Sequence, residues 1–182
     1  RKALPRNNAI GIKYQLEHVS LSDITDTNEY FYLEPYSTNI TGESYYYTDE
    51  EKRRTESSMT LNLSHDTRDN PFIPSRGIKA SIFGAISGGP LGFDTDIYQL
   101  GASGAQYFPL WFRHVFSIRA RCEVVDAYGS SEEVPLDNRL YIGGPRTLRG
   151  YDYLDVGPKV VRLYETNDLV EVIDSRPVGG KS

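Results

Sequence analysis

Any covalent chemistry in this chain would fall to a short set of residues. Histidine is the usual proton shuttle and metal ligand, but the three present, His18, His65 and His114, lie far apart in the sequence. His18 and His65 fall on the apolar parity of their segments, which suits a membrane boundary better than a metal. One cysteine, Cys122, allows neither an internal disulfide nor a cysteine metal cluster. Gly101-Ala102-Ser103-Gly104 lacks the final glycine of a nucleophile elbow and sits mid-strand. Gly180-Lys181-Ser182 echoes a phosphate loop, yet Ser175 stands where its first glycine belongs. Asp94 and Asp96 could touch a cation, but two carboxylates do not define a site. The expectation is a chain with no catalytic residue, no cofactor and no metal, and therefore not an enzyme.

What stands out is binding geometry. Residues 139–159 read RLYIGGPRTLRGYDYLDVGPK. Gly143, Gly144, Gly157 and Pro158 shape this stretch around a central Leu148-Arg149-Gly150-Tyr151. It is too rich in glycine for a helix or plain strand. A second constellation is the turn at residues 66–77, DTRDNPFIPSRG. Asp66 and Arg68 share parity, about 7 Å apart along a strand, so they can pair and brace it. Pro71, Pro74 and Gly77 give the turn its shape. A third is Arg119, Arg121 and Glu123, which alternate with apolar residues and read as a ladder of charges on one face.

The elements that carry these residues are strands. Hydrophobic residues make up 38% and charged residues 25% of the 182, too apolar for disorder. No run approaches the roughly 20 apolar residues of a spanning helix. Residues 1–8 have no apolar core, so the reading expects the interior of a mature chain rather than a signal peptide. The net charge of -5 argues against nucleic acid as a partner. The 14 tyrosines suit surfaces where a ring meets something apolar and its hydroxyl stays wet, as at interfaces and membrane boundaries.

Period-two alternation predicts strands at residues 9–19, 58–67, 78–87, 97–108 and 115–125. In the last, Phe116, Ile118, Ala120, Cys122 and Val124 alternate with Ser117, Arg119, Arg121 and Glu123. Residues 20–54 read as one long loop, with room for a hairpin at 30–33 and 44–48, and residues 128–178 read as another. Strands of about ten residues with a dyad period, joined alternately by tight turns and long loops, fit an antiparallel transmembrane β-barrel. A soluble β-sandwich alternates too. Its buried face would usually be richer in large aliphatics than Ala80, Gly84, Ala102 and Gly104 allow. Five strands cannot close a barrel, whose smallest form has about eight. The reading is thus all-β, a partial barrel with further strands expected on both sides.

Two of the motifs resemble the BamA-type assembly barrels of the bacterial surface antigen, or POTRA-barrel, superfamily. Tyr141-Ile142-Gly143-Gly144, Leu148-Arg149-Gly150-Tyr151 and Val156-Gly157-Pro158-Lys159 are similar to that family's long sixth loop. Leu148 departs from the β-branched residue usual before the arginine. The turn at 66–77 is similar to its Asp-x-Arg periplasmic turn, and Val178-Gly179-Gly180-Lys181 to the lead into its next strand. The resemblance covers the chain from about residue 9 onward. It implies that 20–54 is extracellular and that the loop at 128–178 folds back into the lumen. There Arg149 would pair with acids on later strands, with Asp152 or Asp155 as local competitors. It also implies a function: folding and inserting outer-membrane proteins. Its setting would be the bilayer of the outer membrane of a Gram-negative (diderm) bacterium. Its partners would be nascent outer-membrane proteins and accessory lipoproteins. Two alternatives stay open: a two-partner-secretion barrel that passes one substrate, and a soluble β-sandwich binding module using the tyrosine-rich 20–54 segment.

Overall fold

The computed structural model describes residues 2–4, 7–34, 39–50, 52–145, 147–153, 155–166 and 169–180. Among the described residues ten strands appear: β1 (Lys2–Leu4), β2 (Asn8–Ser20), β3 (Tyr30–Leu33), β4 (Ile40–Tyr45), β5 (Arg53–Asp66), β6 (Gly77–Ser87), β7 (Ile97–Pro109), β8 (Val115–Ala127), β9 (Lys159–Thr166) and β10 (Leu169–Pro177). The helical pieces among the described residues are single 3-10 turns. They divide into two compact units, one of residues 1–17, 55–132 and 182, the other of residues 18–54 and 133–181.

The first unit is built on a six-stranded sheet ordered β1-β2-β5-β6-β7-β8. The pairs β5/β6, β6/β7 and β7/β8 are antiparallel with unbroken register. That register lines up side chains of one kind. Leu61, Gly84, Leu100 and Val124 form one row, and Leu63, Ile82, Ala102 and Cys122 the next. Both rows lie on one face, since side chains alternate across a strand. Residues that a soluble core would bury are open there: Ile82 and Leu100 are each 55% exposed, and Leu61 45%. The alternate rows, on the other face, are mostly polar: beyond the Leu63 row, Ser64, Ser81, Ser103 and Arg121 are in register, and the Ser81 and Ser103 hydroxyls lie 2.9 Å apart. Phe83 looks misplaced on this face until its partner is read. It pairs with Gly101, and its ring fills the space where a Cβ would stand, 2.2 Å from Cε1.

The second unit corrects the reading of both long loops. Residues 20–54 hold β3 and β4, and residues 128–178 hold β9 and β10. The expected hairpin is there, but its second arm is Ile40–Tyr45; the residues after it form a 3-10 turn at Tyr47–Glu50. The strands join in one sheet ordered β10-β9-β3-β4, with Phe31 opposite Val161 and Tyr32 opposite Val160. Two segments that read as separate loops therefore share a sheet. Its core is Tyr30, Tyr45, Val160 and Val178, with Tyr32 and Tyr47 packed against it. The rings meet edge to face at 5.0–5.6 Å, a geometry favoured by the aromatic quadrupole. Four of the tyrosines thus pack this small core, where the sequence suggested wet interfaces.

The five expected strands coincide with β2, β5, β6, β7 and β8, their ends displaced by a few residues. Adding a Cβ at Gly101 would force the Phe83 ring aside. Gly101→Ala is expected to cost about 1–3 kcal/mol, the usual penalty of overpacking. Phe83→Ala in the same chain should remove most of that cost. A double-mutant cycle on urea unfolding of the full-length protein measures this, and additive effects would show that ring and glycine are not coupled.

Candidate functional site

The glycine-rich stretch begins on a buried arginine. The Arg139 side chain is only 10% exposed. Its Nε donates to the Val134 carbonyl at 2.8 Å, and its Nη1 to that of Val178 at 3.4 Å. Its Nη2 donates to Glu50 Oε1 at 3.1 Å and Glu133 Oε2 at 3.3 Å. A guanidinium has five donors in a rigid fork, and here the fork ties four points of the chain together. Arg54 pairs with Asp137 beside it. Leu140 and Gly180 exchange two backbone bonds at 2.9 Å, and the Val178 amide donates to the Pro158 carbonyl at 3.0 Å. Gly179 and Gly180 of the Val178–Lys181 motif thus lie at the loop's base, while Lys181, and Ser182 of the phosphate-loop echo, lie outside the described residues.

Above this base the chain narrows. The Val156 amide donates to the Ile142 carbonyl at 2.9 Å. The Gly143 amide donates to the Thr147 hydroxyl at 3.0 Å, and that hydroxyl donates back to the Gly143 carbonyl at 2.7 Å. Leu148 N–H donates to the Gly144 carbonyl at 3.1 Å, and Gly144 N–H to that of Tyr151 at 3.2 Å. Leu148, Arg149, Gly150 and Tyr151 therefore sit on a small closed turn, and all four are exposed. Arg149 has no ion-pair or hydrogen-bond partner among the described residues. Of the two local competitors, Asp152 and Asp155, the second is taken, since Asp155 Oδ1 accepts from Lys159 Nζ at 2.7 Å. A Cβ at Gly150 would meet nothing within 4 Å, so it is not close packing but its φ of +93° that calls for glycine. Gly157 likewise has a positive φ, beside Pro158.

In the first unit, the turn at residues 66–77 is held by two carboxylates. Arg68 engages Asp66 through two bonds, Nε to Oδ1 at 2.9 Å and Nη2 to Oδ2 at 2.7 Å, and its Nη1 reaches the Pro71 carbonyl at 3.0 Å. Asp69 was not foreseen. Its Oδ1 accepts from the amides of Asn70, Ser75 and Arg76, and its Oδ2 from the Ser75 hydroxyl. The Ser75 hydroxyl first, and then its amide, hold the Asp69 carboxyl well below the usual carboxylate range. An Asp directly before Asn-Pro, six residues ahead of a Ser, was the available signal. Pro74 lies within the stapled span, and Gly77 opens β6.

The charge ladder is self-satisfied. Arg121 pairs with Glu123, which also accepts from Gln99 Nε2 at 2.5 Å. Arg119 stacks over the Tyr107 ring at 5.9 Å. Nothing in this row resembles a nucleophile with a base. Asp94 and Asp96, considered above for a cation, serve the backbone instead. Asp94 Oδ2 accepts from the Thr55 amide at 2.9 Å. Asp96 Oδ2 accepts from the Ser130 amide at 2.9 Å and its hydroxyl at 2.6 Å, and its Oδ1 accepts from the Gly89 amide at 2.5 Å. These bonds, the Ser130 hydroxyl's foremost, lower the Asp96 pKa.

One more cluster went unforeseen, in the second unit. Arg176 pairs with Asp26 at 2.7 Å and Asp174 at 3.0 Å, and lies 5.4 Å over the Tyr30 ring and 5.6 Å over that of Tyr47. The Asn28 amide and then the Tyr30 hydroxyl lower Asp26 to about 2. Burial and then Asp26 push Tyr30 up to about 12.

Against known proteins, a model of the Omp85 superfamily domain matches residues 2–182. The chain is 29% identical over 161 residues to the outer membrane protein assembly factor BamA of Nitratidesulfovibrio vulgaris, covering 87% of this chain and 18% of that one. It is 29% identical over 126 residues to a SAM50-like protein of Drosophila melanogaster, covering 69% and 25%. Among solved structures, BamA from Haemophilus ducreyi lacking POTRA domains 1–3 superposes with a TM-score of 0.65 at 22% identity, over 85% of this chain and 29% of that one. That likeness shows the fold: an antiparallel transmembrane β-barrel, present here in part and unclosed. The chain spans well under half the length of each of these relatives.

Two outcomes follow for the bonded carboxylates. Arg139→Ala leaves Glu50 without its cation, and the Val134 and Val178 carbonyls without this donor, a loss of about 3 kcal/mol for a buried pair. Limited proteolysis of the full-length protein within residues 133–181 should accelerate about a hundredfold. Arg139→Lys should recover only part of this, and an unchanged cleavage rate in Arg139→Ala would refute the bracing role. For Asp96, the folded pKa is depressed, so its bonds stabilise the loop fully above the unfolded carboxylate value of about 3.9 and are lost as pH falls below it. Hydrogen-exchange protection at Gly89 and Ser130 should be flat near neutrality and decline below about pH 4. Asp96→Asn should lower the protection and remove its pH dependence.

Proposed function

This chain belongs to the Omp85 superfamily, and from that premise we propose that it is part of the barrel of an outer-membrane protein assembly factor. The observation that carries the reading is the match to a bacterial assembly factor across 87% of the chain. The substrates are nascent outer-membrane proteins, and the work requires no covalent step. The two-faced sheet supplies the wall: its apolar rows meet lipid, and its polar rows, with Arg119, Arg121 and Glu123, meet the lumen. The closed turn bearing Arg149 reaches acids on a part of the barrel outside these residues. A planar fork with several donors suits a bidentate carboxylate in a confined lumen. Accessory lipoproteins complete the machine. The bacterial relative covers more of the chain than the animal one, 87% against 69%, which favours the outer membrane of a diderm bacterium.

The test uses the full-length protein in lipid vesicles, given a urea-unfolded outer-membrane barrel. Folding, read by heat-modifiable gel mobility, should run faster than in empty vesicles. Arg149→Ala should slow it about tenfold, equivalent to about 1.4 kcal/mol. Arg146→Ala, at a position outside the described residues, should have less effect. No acceleration by the unmodified protein would sink the assembly reading and favour a secretion barrel; equal losses at both arginines would sink the role of Arg149.

A further inference from the structure

The connection between β7 and β8 is a five-residue turn with an unexpected composition. The Leu110 amide donates to the His114 carbonyl at 2.8 Å, and the His114 amide to that of Trp111 at 3.2 Å. Between them Phe112 and Arg113 both adopt left-handed backbone, with φ of 55° and 62°. Such positions in hairpins ordinarily hold Gly, Asn or Asp, and a bulky residue there is an outlier. The turn nonetheless leaves Trp111 72% and Phe112 87% exposed, and neither ring stacks on another among the described residues. Arg113 makes no ion pair among them either.

The neighbours of this turn are apolar on both arms. Phe108 and Phe116 stand in register with ring centroids 6.2 Å apart, on the face that carries Leu100 and Ile118. The exposed aromatic surface is thus continuous with the face that meets lipid. The other turn at this end of the sheet, residues 67–76, also exposes apolar side chains, Phe72 at 92% and Ile73 at 81%, but Phe72 lines a groove of about 380 Å³ with Lys79, Tyr107 and Arg119, on the polar face.

We infer that Trp111, Phe112 and Arg113 form an interfacial anchor. The turn sits in the headgroup layer on the short-turn side of the barrel, its two rings at the boundary of the acyl chains and the Arg113 guanidinium on a lipid phosphate. Tryptophan concentrates at that depth because its body is apolar and its N–H is polar. An arginine fork matches a phosphate. Continuity with the lipid face and the cationic tip select a phospholipid surface as the occupant. The anchor would fix the depth at which this end of the barrel rides. The inference rests on the barrel reading, so the test separates the two.

Full-length protein carrying Cys122→Ser, with any other cysteine replaced, receives single cysteines labelled with bimane. The sites are F112C in the turn, L100C on the apolar face and E132C in an exposed loop. Vesicles of phosphatidylethanolamine and phosphatidylglycerol contain lipids spin-labelled near the headgroup or deep in the chain, and iodide probes the water. The label at F112C should be quenched by the shallow lipid about threefold more than the label at E132C, and by iodide about threefold less. Arg113→Glu should cut that shallow quenching. If L100C is quenched by the deep lipid while F112C behaves like E132C, the anchor is wrong and the barrel stands. If neither L100C nor F112C meets lipid, both fall. Unchanged quenching in Arg113→Glu would overturn the phosphate contact.

Discussion

A backbone amide inside hydrocarbon has no water to bond, and this structure is arranged around that constraint. Lipid admits only segments whose N–H and C=O groups are satisfied within the protein. The first unit meets it with long antiparallel ladders: β6 pairs with β7 over eleven consecutive positions, from Gly77↔Tyr107 to Ser87↔Ile97, without a bulge. Once the ladder is fixed, the side chains have no freedom of side. Period two sends every second residue to lipid and the rest to the lumen. Exposed Ile82, Leu100 and Leu61 are then at home in their solvent, and the burial criterion of a soluble sheet does not apply to them.

The second unit solves a different problem. It has to hold two long excursions in a defined form with few residues per layer. Large rings fill such a space at low conformational cost, and Tyr30, Tyr45, Tyr32 and Tyr47 do so, the first two with their hydroxyls on carboxylates. Tyr30 donates to Asp26 at 2.9 Å, and Tyr45 to Glu50 at 3.2 Å. Those same acids receive arginines, Arg176 at Asp26 and Arg139 at Glu50. Aromatic core and ion pairs are therefore one network, in which each acid joins a ring to a cation.

How much of this was legible in the sequence follows from the same physics. β6, β7 and β8 were readable because one face meets lipid and the other the lumen, so the alternation is clean. β9 was not, because Val160 and Val161 are adjacent and both buried: burial on both faces erases the period. In β10 the register shifts between Val172 and Asp174, and one extra residue breaks the alternation. Arg149 could be singled out because glycines flag the turn that carries it. Arg139 could not, since its value comes from Glu50, 89 positions away, and no local spacing announces such a pair. Asp66 and Arg68 were readable for the opposite reason, being two residues apart.

The distribution of charge in the second unit sets Arg149 apart. Arg139 is spent on Glu50 and Glu133, Arg54 on Asp137, Arg176 on Asp26 and Asp174, and Lys159 on Asp155. Each of these cations sits where the chain must be held, and each finds a carboxylate within the unit. Arg149 is at the tip of a turn closed by its own backbone and by Thr147, so the turn does not need the guanidinium to keep its shape. In the proposed role, that exposed guanidinium would meet a carboxylate elsewhere in the barrel, and an arginine carried on a fixed turn would lose little further freedom on pairing. What the bonds themselves assign is the division within the loop: Arg139 orders its base, and the turn that carries Arg149 keeps its shape through backbone and Thr147 alone.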